Sequence, residues 1–427
     1  MPRPASARLI ALDVLDRVLG EGRPLDDTFA GHPALARLES RDRAFARLLV
    51  TTALRRLGQI DALLDRFLRA RPKAIRVYNL LRLGAAQLLF LETPAHAAVA
   101  ETVALAAGPQ GYATGLINAV LRRVAREGEE RLAQQDAARL NTPEWLWRSW
   151  TTAYGEPVAR AIAESHLAEP PLDLSVKSDP EAWAARLGGE ALYGNTVRRP
   201  AGGAIEDLPG YATGAWWVQD AAAALPARLL GDIGGRAVID LCAAPGGKTA
   251  QLAAAGARVT AVELSDRRAG RLRANLKRLD LEAQIEVADA LAWRPPEPVG
   301  HVLLDAPCTA TGTVRRHPDI AWHKTPADVT RMAELQARLL EAAVAMLAPG
   351  GALVYASCSL QPEEGPRVVE QAFAAGLPVE RLPVEARELE GLPVDLTDRG
   401  DVRTLPCHLP GRGGLDGFFI ARLRRHH

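Results

Sequence analysis

No stretch of this 427-residue sequence approaches the roughly 18 consecutive apolar residues that a membrane-spanning helix requires, so no span is expected. The opening run MPRPASARLIALDVLDRVLG carries Arg3, Arg8, Asp13, Asp16 and Arg17 among its apolar residues. Those charges break the uncharged segment that a secretory signal needs, and a cytoplasmic protein is expected. Cysteine is scarce. The four present, Cys242, Cys308, Cys358 and Cys407, form no CxxC pair and no Cys/His cluster with zinc spacing, so neither a disulfide framework nor a bound metal is expected. An isolated thiol in a reducing compartment is either a small buried hydrophobe or a nucleophile, and each must be judged by its neighbours. An excess of one charge is missing too: 52 Lys and Arg balance 51 Asp and Glu. What is present, 48% hydrophobic and 24% charged residues, is ordinary for a globular chain long enough to hold two or three cores, by default as a monomer.

Texture divides the chain into three. Residues 1–140 show helical periodicity, as in SRDRAFARLLVTTALRRLGQIDALLDRFL and TGLINAVLRRVARE, and predict an all-α bundle. After the NTPEW segment, residues 141–217 are punctuated by Pro and Gly; PPLDLSVKS alternates like a strand, and a small α+β subdomain is expected. From 218 to 427, apolar strands (AVIDL, ARVTAVEL, QIEVAD, HVLLDAP, ALVYASC and a late FFIARL) alternate with amphipathic helices starting near Lys248, Asp266, Pro326 and Glu363. That alternation predicts a doubly wound, Rossmann-like α/β domain.

In such a sheet a ligand lies beyond the carboxyl ends of the strands, so the turn in RAVIDLCAAPGGKTAQLAA marks a cofactor site. It has neither the GxGxxG spacing of a dinucleotide loop nor, with Cys242 in the required glycine position, a complete phosphate loop. Asp240, Glu263 and Asp289 close three successive strands. Such acids are often helix caps; taken together they suit a ribose and an adenine amino group with no phosphate to repel, which points to S-adenosylmethionine.

The next two strands bring Asp305 and Cys308, then Cys358, to the same end of the sheet. Carbon 5 of cytosine is a poor nucleophile, and attack at carbon 6 makes it enamine-like. A thiolate suits that attack because it is both strongly nucleophilic and a good leaving group. Asp305 is placed to hold the ring's amino edge or nitrogen 3, and a second thiol or a water can take the carbon 5 proton. Cys242 and Cys407 read as packing residues.

At these residues the chain resembles the RsmB/Sun group of RNA cytosine-5 methyltransferases, which is related to the NSUN enzymes. The similar motifs are VQD at Val218–Asp220, DLCAAPGGKT at Asp240–Thr249, DAPC at Asp305–Cys308 running on to RRHPDI at Arg315–Ile320, Ser357-Cys358 where the group usually has Thr-Cys, and DGFF at Asp416–Phe419. Glu263 stands where Asp is frequent. The resemblance implies that Cys358 forms the adduct and that Cys308 assists product release. It also implies that Cys242, Ala243, Ala244, Pro245, Gly246, Gly247, Lys248, Glu263, Asp289 and Asp305 line the cofactor pocket.

PAHAAVAET at Pro94–Thr102 and INAVLRRVAREG at Ile117–Gly128 resemble a NusB-type RNA-binding domain. This favours RNA contact for the acid-free run Arg66, Arg69, Arg71, Lys73, Arg76 and Arg82, which alone reads equally as a solvated helix face. Arg315, Arg316 and His317 are candidates for holding the backbone of a flipped nucleotide, with surface ion pairs as the alternative. The group's substrate is a cytosine in small-subunit ribosomal RNA. Rival readings are methylation of tRNA, methylation of DNA with Cys308 as the attacker, and a non-catalytic NusB-like RNA-binding factor.

Overall fold

The computed structural model describes residues 6–427, so Arg3 of the opening run lies outside the described residues. Two compact units result, one running up to Ala168 and also taking Val314–Lys324, the other formed by Glu169–Thr313 and Thr325–His427.

The first unit is helical. Its first helix, Ala7–Glu21, starts where the Ser6 hydroxyl accepts from the Leu9 amide (3.1 Å) and stops at Gly22, whose φ of 65° a glycine adopts without a Cβ clash. The central helix Ile75–Phe90 is buried almost all round. Gly84 makes that possible: a Cβ there would come within 2.5 Å of the Leu121 side chain on helix Thr114–Ala133. Buried polar groups on this helix are paired, Arg82 with both oxygens of Asp61 (2.8 and 2.6 Å) and Asn79 with Asp16 (2.7 Å).

The helical region runs past the expected end at residue 140. Pro143 begins a new helix, Glu144–Tyr154, which is followed by Glu156–Ser165; Leu146, Trp150 and Ile162 are buried. Asn141 accepts from the Gln59 amide (3.1 Å), which joins the NTPEW turn to helix Leu57–Phe67. The segment expected to open a new domain therefore caps the old one.

The second unit holds two sheets. The smaller comprises β1 (Leu172–Val176), β2 (Glu190–Ala191), β3 (Thr196–Arg199) and β4 (Trp216–Val218), all antiparallel in the order β2-β3-β1-β4. Its buried Arg198 holds Asp173 through two 2.7 Å bonds. The larger sheet comprises β5 (Ala237–Leu241), β6 (Arg258–Glu263), β7 (Gln284–Val287), β8 (Val299–Asp305), β9 (Leu347–Ser357), β10 (Val379–Arg381), β11 (Asp395–Leu396), β12 (Val402–Thr404) and β13 (Phe418–Arg425). Their order is β11-β12-β13-β9-β8-β5-β6-β7, with β10 beside β13. Strands β5 to β9 are parallel, and β13 runs antiparallel to β9.

Alternate residues of each central strand enter cores on opposite faces: Val238, Leu303 and Val354 on one, Ile239, Leu304 and Tyr355 on the other. Helices Gly247–Ala254, Asp266–Leu279, Pro326–Met346 and Pro366–Ala374 connect the strands. The chain order reverses at β5, which lies between β6 and β8, and this makes the carboxyl end of β5 the switch point where a ligand cleft opens. The VQD and DGFF motifs meet structurally, because Asp220 accepts from the Asp416 amide (3.0 Å) and ties the small sheet's exit to the start of β13.

Candidate active site

After β5 the chain turns sharply. Cys242 takes a left-handed φ of 62°, a conformation that costs a non-glycine residue about 1–3 kcal/mol and occurs where the surroundings impose it. Gly246 (φ 104°) then brings the backbone onto helix Asp266–Leu279, since a Cβ there would lie 2.4 Å from Leu272. Beyond the turn, a cavity of about 160 Å³ is lined by the apolar residues Val262, Leu264, Ala290, Pro307, Leu335 and Leu339, together with Cys242, Glu263, Asp289 and Arg268. Leu264, on the wall of this cavity, is 70% exposed although large and apolar.

Glu263 and Asp289 bring the cavity its carboxylates. Glu263 accepts from the backbone amides of Ala244 (3.2 Å) and Ser265 (3.0 Å), which fixes its side chain while leaving acceptor capacity for hydroxyls. Arg268, which carries no sequence signal beyond its place in a helix, lies 3.4 Å from Glu263 and donates to the Ala244 carbonyl (2.6 Å). Cys242 is a wall: burial first, then the fields of Asp305, Glu263 and Asp240, push its thiol up to about 12. Ala243–Lys248 and Asp305 do not line this cavity; they form the turn and the polar pair beside it.

Asp240 is not at the cavity either. It is fully buried; one oxygen accepts from the Thr249 hydroxyl (2.5 Å), and the other has no hydrogen-bond partner. Its expected share in ribose binding is corrected to bracing the turn. Burial pushes its carboxyl up to about 7 from an ordinary 3.8. The folded state thus keeps a proton that the unfolded chain has released, so the stability this group contributes is full below 3.8 and is lost as pH rises toward 7. Asp240→Asn removes the titration. Between about pH 5 and 7 its unfolding free energy in urea is expected to gain on the parent's by up to about 1.4 kcal/mol per pH unit; parallel profiles would refute this.

Next to this turn stand the two thiols. Cys308 follows β8 and Cys358 follows β9, two adjacent parallel strands, and their Sγ atoms are 3.3 Å apart. Lys248 donates to Asp305 at 2.7 Å and lies 5.3 Å from the centre of the Phe418 ring. Burial pulls the Lys248 ammonium down, but the Asp305 carboxylate more than offsets this, and the group titrates above its ordinary range. The Cys308 hydrogen bond first, then burial and the charges nearby, push the Cys358 thiol well above its ordinary value, with Lys248 acting the other way. Cys358 is therefore a neutral thiol at rest. Cys407, half-buried and also pushed up by burial, lines no part of this site.

The residues joining the two cysteine loops escaped the sequence reading. Buried Glu364, in a PEE segment that reads as a helix start, accepts from Thr309 and Ser359, and Gln336 donates to the Pro307 carbonyl (2.8 Å). None carries a pattern of its own, since Ser, Thr, Gln and Glu are common on any surface.

A family described as 16S rRNA methyltransferase RsmB/F matches residues 228–424, and the NusB family matches residues 5–126. Ribosomal RNA small subunit methyltransferase B of Klebsiella pneumoniae subsp. pneumoniae is 36% identical over 99% of both chains. The chain belongs to the RsmB/F family. Among solved structures, that of PH0851 has the same fold, with a TM-score of 0.77 at 22% identity over 99% of both chains. A methyltransferase homolog protein from Pyrococcus horikoshii gives a TM-score of 0.54 at 27% identity, covering 71% of this chain and 98% of that one.

In this RsmB/F-family chain the basic candidates divide. Arg66, Arg69 and Lys73 are exposed. Arg71 is held by both oxygens of Asp65 (2.8 and 2.7 Å), Arg76 by Asp13 (2.8 Å) and Asp16 (2.5 Å), and Arg82 is buried on Asp61. Arg315 requires a correction: it is 1% exposed inside the helical unit, and its carbonyl accepts from Arg55 (2.7 Å). His317 is 3.1 Å from Asp26, and Arg316 is half-buried in the same segment. These three follow the DAPC turn in sequence, but Val314–Lys324 folds with the helices. Among the described residues no group of three His, Cys, Asp or Glu is arranged to hold a metal ion, and no helix is long and apolar enough to cross a membrane.

Proposed function

We propose that the enzyme methylates carbon 5 of a cytosine in small-subunit ribosomal RNA, with Cys358 adding covalently to carbon 6 of the ring. The observation that carries this reading is the pair of thiols 3.3 Å apart beside the Lys248–Asp305 ion pair and next to a cavity with two carboxylates. The cavity suits S-adenosylmethionine: its apolar walls fit a flat base, Glu263 would accept from the ribose hydroxyls, and Asp289 would accept from the adenine amino group. When bound, S-adenosylmethionine supplies the methyl group as an electrophile.

The protein's part divides among four side chains. Asp305 holds the pyrimidine's polar edge while Lys248 keeps that side chain oriented. Lys248 also favours loss of the Cys358 proton to water, against the neighbours that retain it. The sulfur then bonds carbon 6, the displaced ring electrons make carbon 5 nucleophilic, and carbon 5 takes the methyl group. Cys308, a hydrogen bond away from the attacker and having given its own proton to water, accepts the carbon 5 proton as a thiolate; the carbon–sulfur bond breaks, the ring double bond returns and Cys358 leaves as a thiolate. The target base must leave its stack to reach the thiol, and phosphate neutralisation by exposed Arg66, Arg69 and Lys73 would hold the RNA.

RNA carrying 5-fluorocytosine tests this, because fluorine cannot be removed as a proton and the adduct stalls. A conjugate that needs Cys358 and S-adenosylmethionine is expected in denaturing gels. A conjugate formed with DNA and dependent on Cys308 would overturn the proposal.

A further inference from the structure

Cys308 and Cys358 lie on separate loops, and nothing in the strand pairing of β8 with β9 fixes how those loops lean once the ladder ends. Something else must hold them. Glu364 is fully buried, on the turn Pro362–Glu364 that leads into helix Pro366–Ala374. One carboxylate oxygen accepts from the backbone amide of Thr309, the residue directly after Cys308, at 2.7 Å. The other accepts from the Thr309 hydroxyl and from the hydroxyl of Ser359, the residue directly after Cys358, at 2.6 Å.

The clasp is extended on both sides. Thr311 and Ser359 are 3.2 Å apart through their hydroxyls, Thr311 accepts from the Leu360 amide (3.0 Å), and Ser359 accepts from the Gln361 amide (3.1 Å). Gly312 donates its amide to the Cys358 carbonyl (2.9 Å), and a Cβ there would come 2.1 Å from the Gly417 carbonyl oxygen and 2.8 Å from that of Cys358. A buried carboxylate bound in this way tolerates little displacement, because any movement leaves a charge or a donor unpaired in a low-dielectric interior.

We infer that Glu364 is the positioning residue that sets the spacing of the two thiols, by hydrogen bonding to the residue after each cysteine. It touches neither substrate nor the reacting sulfurs. Its importance for turnover rests on the two-cysteine reading proposed above; its control of the spacing does not. A glutamine in its place keeps the shape but presents an amide donor to hydroxyl and amide donors, so one loop is released.

The test uses the full chain and two readouts. The first needs neither RNA nor cofactor: limiting hydrogen peroxide oxidises two neighbouring thiols to a disulfide, two S–H protons and two electrons converting the peroxide to two waters. The Cys308–Cys358 link is followed by peptide mass mapping. The second is the separation of kcat from KM for RNA methylation. Glu364→Gln is expected to slow disulfide formation by about 10-fold and to lower kcat by roughly 10- to 100-fold, with both KM values within about threefold. Ser359→Ala, which removes one bond of the clasp and keeps Glu364, is expected to move both readouts the same way by less, and it serves if the Glu364 variant does not fold.

A merely structural residue would lower the melting temperature and leave both rates per folded molecule unchanged; that result overturns the inference. Slowed disulfide formation with unchanged kcat upholds the spacing role and overturns its importance for turnover. If the parent links its thiols and Glu364→Gln slows the link, yet Cys358→Ala still methylates at the parent's rate, the two-cysteine reading falls and the spacing role stands.

Discussion

Cys358→Ala is expected to lower methyl transfer by about 10⁴-fold or more while leaving S-adenosylmethionine binding within about threefold of the parent. The size follows from the chemistry. Without a bond at carbon 6 the ring has no enamine character, and orientation beside the methyl donor leaves carbon 5 unreactive. The separation of binding from turnover follows from the structure, since Cys358 lines no part of the 160 Å³ cavity between Glu263 and Asp289. Methyl incorporation into ribosomal RNA, bisulfite sequencing of cells complemented with the variant, and calorimetric cofactor binding read the two parts. Full-rate transfer by the alanine variant would end the covalent proposal.

Cys308→Ala is expected to behave in the opposite sense. The adduct forms and receives its methyl group, but the carbon 5 proton has lost its acceptor, so a protein–RNA conjugate accumulates and turnover falls by roughly 10²- to 10⁴-fold. A second consequence concerns the attacker. The hydrogen bond to Cys308 is the largest cause holding the Cys358 thiol above its ordinary range. Removing it lowers that pKa, raises the thiolate fraction at any given pH, and shifts the pH profile of Cys358 alkylation by iodoacetamide to lower pH. A variant with normal turnover and an unmoved profile would make Cys308 a packing residue.

Much of the fold was legible in the sequence. The apolar runs AVIDL, HVLLDAP and ALVYASC are buried on both faces and could only be central strands of a covered sheet, and they appear as β5, β8 and β9. The NTPEW segment misled because Pro and polar residues mark a helix start as readily as a domain boundary, and only the burial of Trp150 and Ile162 decides between them. Strands β10, β11 and β12 are two or three residues long, too short for periodicity to register.

The site divides in the same way. Local chemistry singled out Cys308, Cys358, Asp305, Glu263 and Asp289, because each closes or shortly follows a strand and strand ends share one side of a parallel sheet. Charge roles were less visible. Arg76 and Arg82 look like phosphate ligands in a row of cations, yet Asp13, Asp16 and Asp61 claim them from elsewhere in the bundle. Arg315 looks like a neighbour of the DAPC turn, yet it is buried among helices.

By itself the sequence determined the strand order of chemistry along the chain: which turn approaches a cofactor, which acids end strands, and which thiols follow them. Those are properties of short segments, set by hydrophobic period and turn residues. Tertiary structure alone decided which charges are already neutralised, that Asp240 is a buried brace, and that Glu364 clasps two loops separated by about fifty residues in the chain. Hydrogen bonds and ion pairs act over a few ångströms in space without regard to separation in sequence, so no local pattern records them.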